Sequence, residues 1–278
     1  MWEYNQNELY HFGVKGMKWG VRKKYYKNYM DNDRILKKDF KIQNISSGKP
    51  RDLSKNNPVY GAHTKHDKNA YAGKYANAIN WRGEKAYKND MVLVKDVKIP
   101  SQKKAVETFM DLYKKDPKGI SDSIGKAYAE LDYFNKIDKI RNYNANRIAN
   151  KFSKKGEDWV KSKGYLIFNQ SMMSTDENKA RTEYYNLLLK KGYNAISDIN
   201  DVQTGYNSDD PIIFINPNKT LKNVKSRELT SDEIELANAR YMYDEAVKNK
   251  GIIDSLIYRE YANAKRELKM VEKKQGLR

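Results

Sequence analysis

Two strand-length apolar runs, Met91-Val92-Leu93-Val94 and Ile212-Ile213-Phe214-Ile215, set the terms for this chain. Met91–Val94 is apolar on both faces, which suits a strand buried inside a sheet and covered on either side. Neither approaches the ~20 apolar residues that a helix needs to cross a bilayer, so no transmembrane segment is expected. Around these runs the chain is very polar: mean hydropathy is −0.96 and 32% of residues are charged. Much of it must therefore be solvated helix or polar arm. Hydrophobic residues still make up 39%, enough for one core, and the 22 tyrosines can fill that core with their hydroxyls kept wet.

The order of elements predicts an α+β fold: a small mixed sheet with surrounding helices, a basic N-terminal arm and a C-terminal antiparallel helical hairpin. Residues 1–57 read as the arm, with a basic helix over Val21–Ile42 and a Ser46-Ser47-Gly48-Lys49-Pro50 break opening a linker to Asn57. Residues 58–229 read as the main domain. It opens on a strand at Val59–His63 and a helix over Lys68–Ile79, followed by one or two strands over Ala86–Ile99. Ser101 caps a helix that turns Ala105, Phe109, Leu112 and Tyr113 inward. Pro117 and Gly119 punctuate the chain before a long helix over Ser121–Phe152, and Tyr165–Phe168 forms a packed hinge or short element. Asp176 begins a helix that stops at Gly192, and strands follow at Tyr193–Asp198, Pro211–Ile215 and Leu221–Leu229. Residues 230–278 are the hairpin, opened by the capping-box pattern Thr230-Ser231-Asp232-Glu233 and broken at Gly251.

Cysteine is absent, which excludes disulfides, thiol nucleophiles and Cys-ligated zinc. The first residues lack a seven-residue apolar core, so a conventional signal peptide is not expected. Net charge is +18, which favours nucleic acid, anionic surfaces or acidic proteins as partners. His63 and His66 are three apart beside Asp67. Asp67 serves there as a helix cap, no third ligand is in view, and no metal is expected. The Asp198–Asp201 loop places Val202 and Gln203 where a calcium loop needs an oxygen ligand and a glycine.

Near the N-terminus, His11–Arg22 (HFGVKGMKWGVR) gathers glycines, cations and aromatics with no helical or strand period. Phe12, Met17 and Trp19 beside Lys15, Lys18 and Arg22 make a compact anchor for a partner's groove or acidic rim. An arm folded back on its own domain would use the same aromatics for packing. The stretch resembles the H-x-G-V-K-G-M-K-W-G-V-R signature of proteins encoded by phages and prophages of Gram-positive bacteria. The segment from Lys190 to Asp198 and on through Asp210–Phe214 is similar to a helix–Gly-Tyr–strand–loop–strand cassette of phage-encoded proteins. These resemblances imply an accessory protein of the virion or its assembly, found in the virion or the host bacterial cytoplasm, with phage structural proteins as partners. Aromatics interleaved with cations over Trp19–Tyr29 add a route to nucleic acid.

A second resemblance rests on Tyr60-Gly61-Ala62-His63, then Tyr71 and Tyr75, then the late strands after Gly192-Tyr193. The layout is similar to ADP-ribosyltransferases of the diphtheria-toxin-like branch. The resemblance implies NAD as cosubstrate, His63 orienting the nicotinamide ribose, Tyr71 or Tyr75 stacking, and Asp198 or Asp201 in place of the family's glutamate. No other cofactor is expected. The late strands carry Asp198, Asp201 and Asp210 but no glutamate before Glu228. A carboxylate one methylene short displaces the charge by ~1 Å, enough to cost ~100-fold in rate. The same residues also read as a junction histidine, core rings and a solvated turn.

Overall fold

The structure is a computed structural model that describes residues 32–55, 57–63, 75–131, 138–174, 178–199, 211–249 and 255–277. In chain order the elements are β1 (Arg34–Leu36), β2 (Lys41–Ser47), β3 (Val59–His63), α1 (Ala76–Trp81), β4 (Ala86–Leu93) and β5 (Val97–Ile99). Then come α2 (Gln102–Lys115), α3 (Pro117–Glu130), α4 (Asp138–Lys154), α5 (Glu157–Trp159), a π-helical turn (Val160–Gly164), α6 (Tyr165–Ser171) and α7 (Lys179–Lys190). The chain finishes with β6 (Ala195–Ser197), β7 (Pro211–Phe214), α8 (Pro217–Thr220), β8 (Leu221–Glu228), α9 (Ser231–Asn249) and α10 (Ser255–Lys274). The class is α+β, as the sequence predicts. Among the described residues no helix is long and apolar enough to cross a membrane.

These elements fall into two compact units. The first draws on Lys37–Asp96 and the chain from Asp201 onward; the second on Asn28–Leu36 and Val97–Asn200.

In the first unit the strands run in the order β7-β3-β2-β4-β8. Each of these pairings is antiparallel, which corrects the mixed sheet that the sequence predicts. Met91 and Leu93 in β4 and Ile212–Phe214 in β7 are at most 1% exposed, but Val92 is half-buried and Val94, just past the end of β4, is 41% exposed, so the first run is fully buried on one face only. One sheet face meets α1 and the start of α9 through Ile45, Ala62, Ala76, Ile79, Ala86, Leu229 and Ile234. The capping box forms as read: Glu233 N–H donates to Thr230 Oγ1 at 3.2 Å, and Thr230 N–H donates to Glu233 Oε2 at 3.0 Å. Helices α9 and α10 form the expected antiparallel hairpin, with Leu268 and Val271 packed on Ala239, and Lys274 paired to Glu235 at 2.7 Å.

Three sequence readings are corrected. Residues 34–47 are not the end of a basic helix. They give β1 and β2, and β2 lies in the middle of the sheet with Ile42 fully buried. The Ser-Gly-Lys-Pro break is consequently a strand connection inside the first unit, and the sheet starts well before Pro58. Pro117 and Gly119 do punctuate the chain, Pro117 as the first residue of α3, where its missing N–H costs nothing, but the long helix read over Ser121–Phe152 is two helices, α3 and α4. Tyr165–Phe168 is the packed short element the sequence allows, the first turn of α6. The helix read from Lys68 is described only from Ala76, the cap at Asp67 lies outside the described residues, and the helix read from Asp176 begins at Lys179 with Asn178 as its cap.

The second unit is mostly helical. Phe109 stacks on Phe168 at 4.6 Å, Phe168 meets Tyr184 edge-on at 5.1 Å, and Tyr184 donates to the Ala105 carbonyl at 3.1 Å. Burial pushes the Tyr184 and Tyr165 hydroxyls well above their ordinary pKa. Helix α7 stops at Gly192 with φ 83°, where Gly192 and Tyr193 N–H groups bond back to Leu189 and Leu188. Helices α3 and α4 approach so closely that a Cβ on Gly125 would lie 2.4 Å from the Ala145 carbonyl oxygen. Asp33 accepts from Ser101 N–H and Tyr193 O–H and pairs with Lys104 at 3.0 Å and Lys98 at 3.5 Å. Burial alone would raise its carboxyl pKa; these donors overcome it and hold the group at about 2.

Two outcomes follow from this packing. Gly125→Ala should destabilise the protein by about 1–3 kcal/mol in chemical denaturation, because a helix backbone cannot yield to the added methyl. Asp33 has a depressed folded-state pKa, so its contribution is complete above the ordinary value of 3.8 and is lost as pH falls toward 2. Asp33→Asn should cost about 2 kcal/mol at neutral pH, and its melting temperature should fall less than the parent's between pH 4 and pH 2.

A cation-lined cleft on the sheet of the first unit

The strands β2, β4 and β8 and helix α9 enclose a cleft of about 640 Å³. Alternation along β2 brings Lys41 and Gln43 to it, β4 supplies Lys88 and Asp90, and β8 supplies Val224 and Arg227. Helix α9 adds Glu233, Leu236, Ala237 and Arg240, spaced at the three and four residues that put side chains on one helical face. The register explains the convergence: Gln43 faces Asp90 across β2–β4, and Lys88 faces Arg227 across β4–β8. Between Asp90 and Met91 the β4–β8 register slips, a bulge that re-aims the side chains beside it.

The acids of the cleft are occupied. Asp90 lies 3.5 Å from Lys88. Glu233 meets both ends of the Arg227 guanidinium at 2.7 Å while also closing the Thr230 cap. The Arg227 contact, working against burial and aided by the Thr230 N–H, brings the Glu233 carboxyl to about 2. Lys41 has no acidic partner among the described residues, and Arg240 reaches Glu272 at 3.9 Å. The lining thus carries Lys41, Lys88, Arg227 and Arg240 against Asp90 and Glu233, over an apolar floor that includes Met91 and Leu236. Such a site can hold an anionic group against a hydrophobic surface. The lining has no histidine, serine, threonine or tyrosine to act as nucleophile or general base. Among the described residues no cluster of three or more histidine, aspartate or glutamate side chains could hold a metal.

The residues singled out from sequence are distributed differently. His63 ends β3, its backbone in register with Ile42, and its side chain lies outside the described residues. Tyr75 is half-buried against the apolar cluster of Ile45, Ala62 and Ile79. Asp198 follows β6 in the second unit and is 2% exposed. Tyr71, Asp201 and the whole anchor of Phe12, Lys15, Met17, Lys18, Trp19 and Arg22 lie outside the described residues. Sequence reasoning missed the cleft, although Glu233 was already marked by its capping box. Lys41 and Arg240 are some two hundred positions apart, and no spacing rule joins them.

Residues 3–25 match the model of a family of unknown function, DUF7211. No curated protein and no solved structure matches the chain.

The double role of Glu233 gives a direct check. Glu233→Ala removes the cap and the Arg227 partner and should lower stability by about 1 kcal/mol, whereas Glu233→Gln keeps the cap acceptor and should cost less. Paired denaturation curves at neutral pH measure the difference.

Proposed function

We propose that the chain is an accessory protein of a phage or prophage, associated with the virion or its assembly, in which residues 1–31 dock the folded body onto phage structural proteins. The observation that carries this reading is the position of the family match. It spans residues 3–25, encloses His11–Arg22, and ends before the first described strand. A segment matched by itself behaves as a portable module, and its glycines, aromatics and cations suit a short docking peptide better than a structural element. The body acts by binding: its cleft offers cations over an apolar floor. Tyr75 packs against the apolar cluster of its sheet, and Asp198 is buried in the second unit.

Mass spectrometry of particles purified after induction should find the chain alongside the capsid proteins. The full-length double variant Phe12→Ala/Trp19→Ala should fold with an unchanged melting temperature and fall at least ~10-fold in particle content, as expected when two aromatic anchors are removed. Well-detected particles that lack the parent chain would reject the assignment.

A further inference from the structure

Helix α4 buries Ala145, Ile148 and Phe152 on one side. Its other side is exposed and carries Tyr143, Arg147 and Lys151 at four-residue spacing, with Lys155 just beyond the last turn. A parallel row of Asn142, Asn146 and Asn150 leads to Lys154. The helix's acid is Asp138, in the first turn, where it complements the helix dipole and lies 3.9 Å from Arg141. Lys163, from the π-helical turn, adds to the same cluster of charge.

Elsewhere in this unit the exposed helices neutralise themselves. Lys103 pairs with Glu107 in α2, Lys118 with Asp122 in α3, and Lys179 with Glu183 in α7, each at i,i+4. On α4 the i,i+4 neighbours are like-charged, an arrangement that costs stability rather than adding it. Among the described residues no acid pairs with Arg147, Lys151, Lys155 or Lys163. Partial burial, then the charges of Arg147, Lys155 and Lys163, lower the pKa of the Lys151 ammonium. Tyr143 stands 68% exposed, an aromatic ring with little packing of its own.

We infer that this face of α4 is a nucleic-acid-binding surface: Arg147, Lys151, Lys155 and Lys163 contact the phosphodiester backbone, Tyr143 stacks on an unpaired base, and the asparagine row hydrogen-bonds to sugar, phosphate or base edges. Charge complementarity selects a polyanion, since a line of phosphates relieves the mutual repulsion of the four cations. The asparagines and the exposed ring favour a nucleic acid over an anionic membrane. An interfacial helix needs a broad apolar face in contact with lipid, and the exposed side of α4 offers Ile140 and Tyr143. The inference is independent of the N-terminal docking segment and stands or falls separately from it.

The test is fluorescence anisotropy of the full-length chain with a labelled oligothymidylate and, separately, a labelled duplex, across a salt series. The triple variant Arg147→Gln/Lys151→Gln/Lys155→Gln should weaken oligothymidylate binding ~10- to 100-fold and flatten the salt slope by about 2. Tyr143→Ala should weaken the single strand by roughly 5- to 100-fold and leave the duplex nearly unchanged. Lys222→Gln/Lys225→Gln, on exposed positions of β8, should bind as the parent does. The triple variant should also melt no lower than the parent, because it removes repulsion from exposed positions. Affinity and salt slope unchanged in the triple variant would overturn the inference. So would selective binding to phosphatidylserine vesicles that the triple variant abolishes while oligonucleotide affinity stays the same.

Discussion

The sheet of the first unit depends on the side chain of Asn89, fully buried in β4. Its amide N–H groups donate to Asn44 Oδ1 at 3.1 Å and Ser46 Oγ at 3.0 Å in β2. Its carbonyl oxygen accepts from Ser226 Oγ in β8 at 2.8 Å and from the Arg51 N–H at 2.9 Å. One side chain thereby ties β4 to both neighbouring strands and to the connection between β2 and β3. Asn44 continues the network to the Tyr60 carbonyl of β3 at 2.7 Å. A slip of one residue would turn these amides to the opposite face and leave them buried without partners, at a cost of about 1–3 kcal/mol for each lost group. Hydrophobic alternation sets which face is buried; this network sets the register. The cleft follows from it, because the register that aligns Asn44 with Asn89 also sets Gln43 opposite Asp90.

The same network explains where the sequence was hard to read. Strand β4 was legible from its apolar end, Met91-Val92-Leu93, and the Thr230 cap because its donors and acceptors are local. Strand β2 was not. In Lys41-Ile42-Gln43-Asn44-Ile45 the buried positions include Gln43 and Asn44, each 5% exposed. Amides inside a sheet are satisfied by residues tens to hundreds of positions away, so no local pattern announces them. A basic stretch with scattered aromatics then scores as helix. The start of α3 was read late, at Ser121, because a proline that ends one helix and one that begins the next look alike until the preceding Asp116 is seen to cap the Gly119 N–H.

The cleft and the α4 face differ in how far sequence could reach them. The cleft joins β2, β4, β8 and α9, and its charge balance depends on which acids are already engaged, a property of the folded chain alone. On α4 the period of Tyr143, Arg147, Lys151 and Lys155 is present in the sequence. What sequence could not supply is that, among the described residues, no carboxylate pairs with those cations.

A net charge of +18 acquires functional meaning only through this distinction. Many of the chain's cations sit within reach of a carboxylate, as Lys37 does with Asp96 and Lys114 with Glu157, and exposed pairs of this kind contribute ~0–1 kcal/mol and little field. A field strong enough to attract a polyanion arises where pairing fails over several adjacent turns, because like charges within about one Debye length add rather than cancel. In α4 the hydrophobic period required for burial fixes which side faces water, and that side carries cations and amides beside Ile140 and Tyr143, with the helix's acid confined to the first turn. Packing therefore orients the helix, and the placement of carboxylates among the described residues leaves the cations of its exposed side without acidic partners.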